Sequence, residues 1–196
     1  MILEISEIFY SLQGEGNRKG TANIFIRTKG CKAKDACYAI GIRCDTEFES
    51  GSPIDLKDLK DTISKYPCKS IIWTGGEPLQ QLTSEVVEYF GEYYQAVETS
   101  GLFPAPEGLD YIVVSPKVAE HVVKKNFSKG VQELRYVRHV GQSIPQPSIE
   151  AEYYYISPHS DGWDINMDNL KHCIELIKSN PQWRLSVQDH KLWSVL

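Results

Sequence analysis

The sequence predicts an α/β fold in which a largely parallel, curved sheet closes only part of a β/α barrel. Three observations carry that expectation. Short apolar runs rich in β-branched and aromatic residues alternate with stretches of helical period. Several of those runs end in polar or glycine-rich turns, where α/β proteins place their sites. Helical patterns beyond residue 94 are too few for a full eight-fold barrel, so an incomplete barrel or open curved sheet fits better. Strands alternating with helices imply crossover connections, right-handed by the usual chirality.

In chain order, residues 22–28 (ANIFIRT) read as a strand between Gly20 and Gly30. Residues 56–65 read as a helix that Ser52 and Pro53 introduce and that ends at Tyr66 and Pro67. Residues 70–73 (SIIW) form a short buried strand stopped by Gly75 and Gly76. Residues 83–94 are helical, with Val86, Val87 and Phe90 on one face. Strands follow at 95–98, 111–114, 131–137 and 152–156. Residues 167–179 form a helix with Leu170, Ile174 and Ile177 as its seam, and residues 184–188 are the last strand.

A chain of 196 residues is read as one domain, residues 1–196. At that length roughly 70% of the unfolded surface is buried, so the core needs no disulfide or metal staple. The net charge of −5 is spread without long runs, which argues against a nucleic-acid or membrane-surface role. The N-terminal stretch has neither the basic flank nor the apolar length of a signal peptide or membrane span. A cytoplasmic location is the default, where disulfides are rare.

Three of the five cysteines then stand out: Cys31, Cys37 and Cys44, separated by five and six residues. In such a compartment clustered thiols read as metal-binding or catalytic. Three thiolates leave one coordination position vacant, whereas a structural zinc site recruits four ligands. Cys68 and Cys173 lie on or beside other elements, and the histidines at 121, 139, 159, 172 and 190 are scattered. On an iron–sulfur cube, three thiolates would leave one iron open to a substrate or cofactor. Gly30 lets backbone approach, and Lys32, Lys34 and Arg43 offset the thiolate charge. Spacing alone leaves metal binding and structural thiols both open.

Residues 74–78 (TGGEP) follow the SIIW strand. Two glycines at a strand end let main-chain amides approach a ligand, and Glu77 can take a cationic amine. By itself the motif reads first as a tight turn with an exposed acid.

Together these motifs resemble the radical S-adenosylmethionine (SAM) superfamily, and more narrowly the 7-carboxy-7-deazaguanine synthase family. Its hallmarks occur in order: EIFYSLQGEG at 7–16, FIRTKGC at 25–31, CDT at 44–46, TGGEPLQQ at 74–81, ETSG at 98–101, VVSPK at 113–117 and RLSVQDHK at 184–191. They span nearly the whole chain. One departure lies in the thiol loop. The family keeps its second cysteine three positions before the third, which is Gly41 here, so Cys37 on a lengthened loop is taken as the second ligand. A relative that has lost its cluster is the competing reading.

The resemblance implies an incomplete barrel of the radical SAM type, with a 4Fe-4S cluster on Cys31, Cys37 and Cys44. The cluster passes one electron into SAM, releasing methionine and a 5′-deoxyadenosyl radical. That radical takes hydrogen from 6-carboxy-5,6,7,8-tetrahydropterin, which contracts to 7-carboxy-7-deazaguanine with loss of ammonia. Thr46 matches a magnesium ligand, and a hard oxygen suits Mg2+. Gln13, Glu15 and Arg27 match residues aimed at the pterin, with Arg27 able to pair bidentately with its carboxylate. Gln188 and His190 match further pterin-facing positions. Gly75, Gly76 and Glu77, with Glu98, Ser115 and Lys117 at or just past later strand ends, match SAM contacts, Glu98 toward the ribose hydroxyls.

Without the resemblance, Thr46 reads as a cap, Arg27 as a strand-surface ion pair and His190 as a surface histidine. The tyrosines at 153–155 and the four tryptophans read as core or subunit contacts, and Cys68 and Cys173 as inert buried thiols. The implied partners are the pterin, a second copy in a homodimer and a flavodoxin- or ferredoxin-like electron donor, with no nucleic acid or membrane. The rivals are an activase that plants a glycyl radical on another enzyme, which needs no Gln13, Glu15 and Arg27 set, and a non-catalytic iron–sulfur or zinc protein.

Overall fold

The computed structural model describes residues 1–39, 41, 44, 46–160 and 162–195. Arg43, Asp45 and Leu196 lie outside them. The strands are β1 (Ile2–Leu12), β2 (Ala22–Thr28), β3 (Ser52–Asp55), β4 (Ser70–Gly75), β5 (Tyr94–Thr99), β6 (Tyr111–Val114), β7 (Val131–Arg138), β8 (Ala151–Pro158) and β9 (Arg184–Leu185). They form one sheet in the order β3-β1-β2-β4-β5-β6-β7-β8-β9. Pairings from β2 to β9 are parallel, while β1 runs antiparallel to both β2 and β3. The edge strands β3 and β9 are not paired with each other, so the sheet stays open.

The helices are α1 (Lys34–Ala39), α2 (Leu56–Ile63), α3 (Ser84–Tyr89), α4 (Glu120–Asn126), α5 (Met167–Lys178) and α6 (Asp189–Trp193). Helix α2 starts where Asp55 accepts a hydrogen bond from the Asp58 amide at 2.9 Å, and it buries Leu56, Leu59 and Ile63 at helical spacing. Helix α5 is capped by Asn166, which accepts from the Asp168 and Asn169 amides.

Strand parity decides what faces what. Ile24 and Ile26, Ile71 and Trp73, Val97, Val114, Leu134 and Ile156 join a large core with Leu59, Ile63, Val86, Val123 and Cys173 from the helices and Phe90 at the end of α3. The alternate residues Phe25, Ile72, Ala96, Tyr111 and Val113 form a smaller apolar cluster with Phe9 on the opposite face. That face also carries Arg27, Thr74, Glu98 and Arg135 one step further along the same parity. The helix-side core holds the sheet, and the other face is left for chemistry.

The sequence-predicted strands at 22–28 and 111–114 match the structure, and the other internal strands differ by one or two residues at their ends. Four differences have physical causes. No element was expected at the N-terminus, yet β1 is the longest strand; a register shift between Ile5 and Glu7 breaks its alternation. Ser52 and Pro53 pair with Glu4 and Ile5 on a sheet edge, where proline is tolerated, and helix capping falls to Asp55 instead. Helix α3 stops at Tyr89, just before Gly91, so Tyr94 opens β5 rather than closing the helix. The last strand ends at Leu185, and Gln188 stands at the start of α6.

Candidate active site

Two adjoining cavities open on the sheet face opposite the helices. The first, about 290 Å³, is lined by Gln13, Glu15, Arg27, Thr46, Gln188 and His190, together with Phe9, Phe25, Thr74, Glu98 and Trp163. The second, about 240 Å³, is lined by Cys31, Cys37, Cys44, Gly76, Ser115 and Lys117, together with Thr99, Ser100, Arg135, Val137, Ser157 and His159. Glu15, Glu98 and Gln188 belong to both, so the cavities share a polar wall.

The thiol loop is anchored from two sides. Gly30, at φ +85°, donates its amide to Phe48 O at 2.7 Å and accepts at its carbonyl from the Glu77 amide at 2.9 Å. The Gln80 side chain donates to the same carbonyl and accepts from the Lys32 amide. Cys37 then sits on α1, buried, while Cys31 is half-buried and Cys44 exposed. Burial, then the negative charge of Glu77 and of the other two thiolates, pushes the Cys31 thiol up to about 11. Burial also raises Cys37, opposed by the Lys117 ammonium, and burial lowers Lys117.

These couplings tie the three thiols to one electrostatic environment. Among the described residues, no group of three or more His, Cys, Asp or Glu converges where a single metal ion could sit. A cube takes one sulfur at each of three corners, so thiols spread around one cavity fit that donor set.

The TGGEP segment does something the sequence did not show. Gly75 and Glu77 line neither cavity. Glu77 is 0% exposed, and its carboxylate accepts from Thr99 Oγ1 at 2.7 Å, the Ser100 amide at 2.9 Å, the Leu79 amide at 3.2 Å and the Ser100 hydroxyl. Four donors satisfy it fully. The Gly76 amide donates to Thr28 O at 2.9 Å, and an added Cβ at Gly76 would lie 2.0 Å from Gly30 O. The glycines therefore let β4 press against the root of the thiol loop. Glu77 braces Thr99 and Ser100, which do face the second cavity.

Elsewhere the predicted residues come together. Gln13 donates to Glu98 Oε1 at 3.0 Å and accepts from the Glu15 amide at 3.0 Å. Arg27 pairs with Glu7 at 2.6 Å and lies 4.8 Å over the Phe9 ring, which stacks on Phe25 at 5.0 Å. The Lys117 ammonium turns back on Ser115, donating to its hydroxyl at 2.6 Å and carbonyl at 3.0 Å. Asp189 N donates to Gly14 O at 3.0 Å, which brings the C-terminal segment onto the 13–17 loop.

Several lining residues escaped the sequence reading. Thr74 shares strand parity with Ile72 of the smaller apolar cluster, and Arg135 with Val137 of the second cavity, a parity that gains meaning only once the sheet is assembled. Of the four tryptophans, Trp73 and Trp183 are core, while Trp163 is 63% exposed and lines the first cavity. Cys173 is buried in the core as expected; Cys68 is only half-buried.

In comparisons with known proteins, no family model matches the chain. It is 35% identical over 195 residues to the 7-carboxy-7-deazaguanine synthase of Bacteroides thetaiotaomicron, covering 98% of each chain. It is 33% identical over 211 residues to that of Caulobacter vibrioides, covering 97% of this chain and 98% of the relative. With that of Burkholderia multivorans it shares 34% identity over 221 residues and 100% of both chains. Among solved structures, the crystal structure of QueE from Escherichia coli has a similar fold, with a TM-score of 0.63, 22% identity, and 95% of this chain and 94% of that one covered.

Proposed function

The chain belongs to the 7-carboxy-7-deazaguanine synthase family, and on that premise we propose that it converts 6-carboxy-5,6,7,8-tetrahydropterin to 7-carboxy-7-deazaguanine by radical SAM chemistry. The observation that carries this reading is the pair of cavities: one gathers the three thiols, the other gathers Gln13, Glu15, Arg27 and Thr46, and one wall serves both.

Cys31, Cys37 and Cys44 would hold a 4Fe-4S cluster with one iron open. When bound, that cluster supplies the single electron that cleaves SAM and opens a radical route to the product. The chain's own residues then do the positioning. Gly76, Ser115 and Lys117, which line the second cavity, would hold SAM there. Glu98, on the shared wall, takes the ribose hydroxyls with carboxylate acceptors. Gly75 and Glu77 act from behind, holding Gly76, Thr99 and Ser100 in place.

The pterin occupies the first cavity. Arg27 exchanges Glu7 for the substrate carboxylate, a low-cost exchange for a partly exposed pair. Gln13 and Glu15 meet the pyrimidine edge, Gln188 and His190 close the C-terminal side, and Phe9 and Phe25 offer an apolar wall. Thr46 supplies an oxygen for Mg2+ beside the substrate. The packed aromatic wall keeps water from the reacting atoms.

The same reading includes residues 1–196 acting as one domain in the cytoplasm, as a homodimer served by a flavodoxin- or ferredoxin-like electron donor. Among the described residues no helix is long and apolar enough to cross a membrane.

The test is anaerobic reconstitution with iron and sulfide, then incubation with dithionite, SAM and the tetrahydropterin. The expected result is a product with the ultraviolet band of a deazapurine. SAM cleavage without that product would favour the glycyl-radical activase instead, and no SAM cleavage would favour a non-catalytic iron–sulfur or zinc protein.

A further inference from the structure

Arg135 belongs to none of the sequence motifs, yet it stands between the two cavities on β7 and is 5% exposed. One edge of its guanidinium is fixed by Glu133, whose Oε1 accepts from Nε at 2.9 Å and from Nη2 at 2.6 Å. Glu133 is buried in turn, and its Oε2 accepts from the Asn17 amide at 3.0 Å and the Tyr111 hydroxyl at 3.2 Å. Rotating the guanidinium away would strip two charged hydrogen bonds from a buried carboxylate, so that edge is locked.

The remaining nitrogen is divided. Nη1 donates to Glu15 Oε2 at 2.8 Å and reaches Glu98 Oε1 at 3.4 Å. The 13–17 loop rests on the same anchor: an added Cβ at Gly16 would lie 2.1 Å from Glu133 Oε1. One rigid cation thus touches a carboxylate assigned to the pterin and a carboxylate assigned to the SAM ribose.

We propose that Arg135 is a positioning residue that couples the two cavities, so that pterin and SAM each tighten the binding of the other through the Nη1 shared by Glu15 and Glu98. The inference rests on the functional reading above. The guanidinium itself is already held, so a ligand that orders one of these carboxylates fixes how Nη1 is divided and thereby orders the other carboxylate. The second ligand then loses less conformational freedom on binding, and linkage makes the effect equal in both directions. An arginine that only stabilised the fold would lower both affinities without changing their mutual dependence.

The experiment measures SAM affinity by equilibrium dialysis on anaerobically reconstituted enzyme without reductant, so that SAM binds uncleaved. Titrations are run with and without saturating 6-carboxy-5,6,7,8-tetrahydropterin. In the wild type the pterin should tighten SAM at least about fivefold. In Arg135→Lys the factor should fall to about one, because an ammonium keeps the charge but lacks the planar fork that serves Glu133 and the shared pair together. If the wild type binds both ligands with no mutual effect, or if Arg135→Lys keeps the factor while both affinities drop, the coupling role is overturned. Should Arg135→Lys not fold, Glu133→Gln, which loosens the anchor at constant shape, decides by the same two outcomes. Failure of the wild type to bind the pterin at all would instead overturn the functional reading, and the inference with it.

Discussion

Replacing Gly76 with alanine should disable the thiol loop while leaving the chain folded. The backbone at Gly76 is one that alanine can adopt, since its φ is not positive, so the substitution isolates a steric effect. The new Cβ would lie 2.0 Å from Gly30 O and 2.6 Å from Gly30 C, both backbone atoms that cannot rotate away. Restoring van der Waals separation requires a displacement of about 1 Å or more at the root of the loop. That movement strains the Gly76 N to Thr28 O and Glu77 N to Gly30 O bonds. Overpacking costs about 1–3 kcal/mol and two weakened hydrogen bonds about 1–3 kcal/mol more, roughly 2–6 kcal/mol together. A domain with about 5–15 kcal/mol of stability survives this, with a lowered melting temperature. Cys31 directly follows Gly30, so the displacement falls on a residue proposed as a cluster ligand. The assay is iron and sulfide content with the visible charge-transfer absorbance after reconstitution, alongside a thermal melt. A folded Gly76→Ala protein that loads a full cluster and binds SAM normally would refute the assigned role of the close approach.

Trp163→Ala should raise the pterin KM by about fivefold to thirtyfold, from roughly 1–2 kcal/mol of lost aromatic contact, with SAM affinity unchanged. Steady-state kinetics with each reactant varied checks this, and an unchanged pterin KM would place the indole outside the substrate site. Arg27→Gln should weaken pterin binding by about tenfold or more through loss of a charged bidentate contact, while the melting temperature stays within a degree or two. A large drop in stability without a change in KM would make Arg27 a structural ion pair with Glu7.

Much of this architecture was legible in the sequence because the relevant signals are local. Alternation with β-branched residues placed β2 and β6, and glycines marked where strands stop. Cys31, Cys44, Gln13, Glu15, Arg27 and Thr46 were found because each sits in a contiguous motif, Cys37 only as the nearest substitute in a lengthened loop, and folding brought all of them to two adjoining cavities. What the sequence did not convey depends on register and on distant partners. Strand β1 hid behind a register shift at Ile5 and Glu7. The TGGEP segment reads as a ligand-facing turn until Gly30 is seen against Gly76. Glu77 looks available until its four donors, three of them at least 22 residues away, are seen around it. Arg135 was missed for the same reason: a charged residue in an apolar strand has meaning only once Glu15 and Glu98, 120 and 37 residues away, are beside it.

The central claim is that Cys31, Cys37 and Cys44, with Cys37 on α1, hold one cluster between them. Mössbauer spectroscopy of anaerobically reconstituted wild type and Cys37→Ala, with Cys68→Ala as the control, tests it directly. The wild type and Cys68→Ala should each bind about four iron atoms as a single 4Fe-4S cluster per chain, and Cys37→Ala should lose that signal. A full 4Fe-4S spectrum from Cys37→Ala would contradict the assignment.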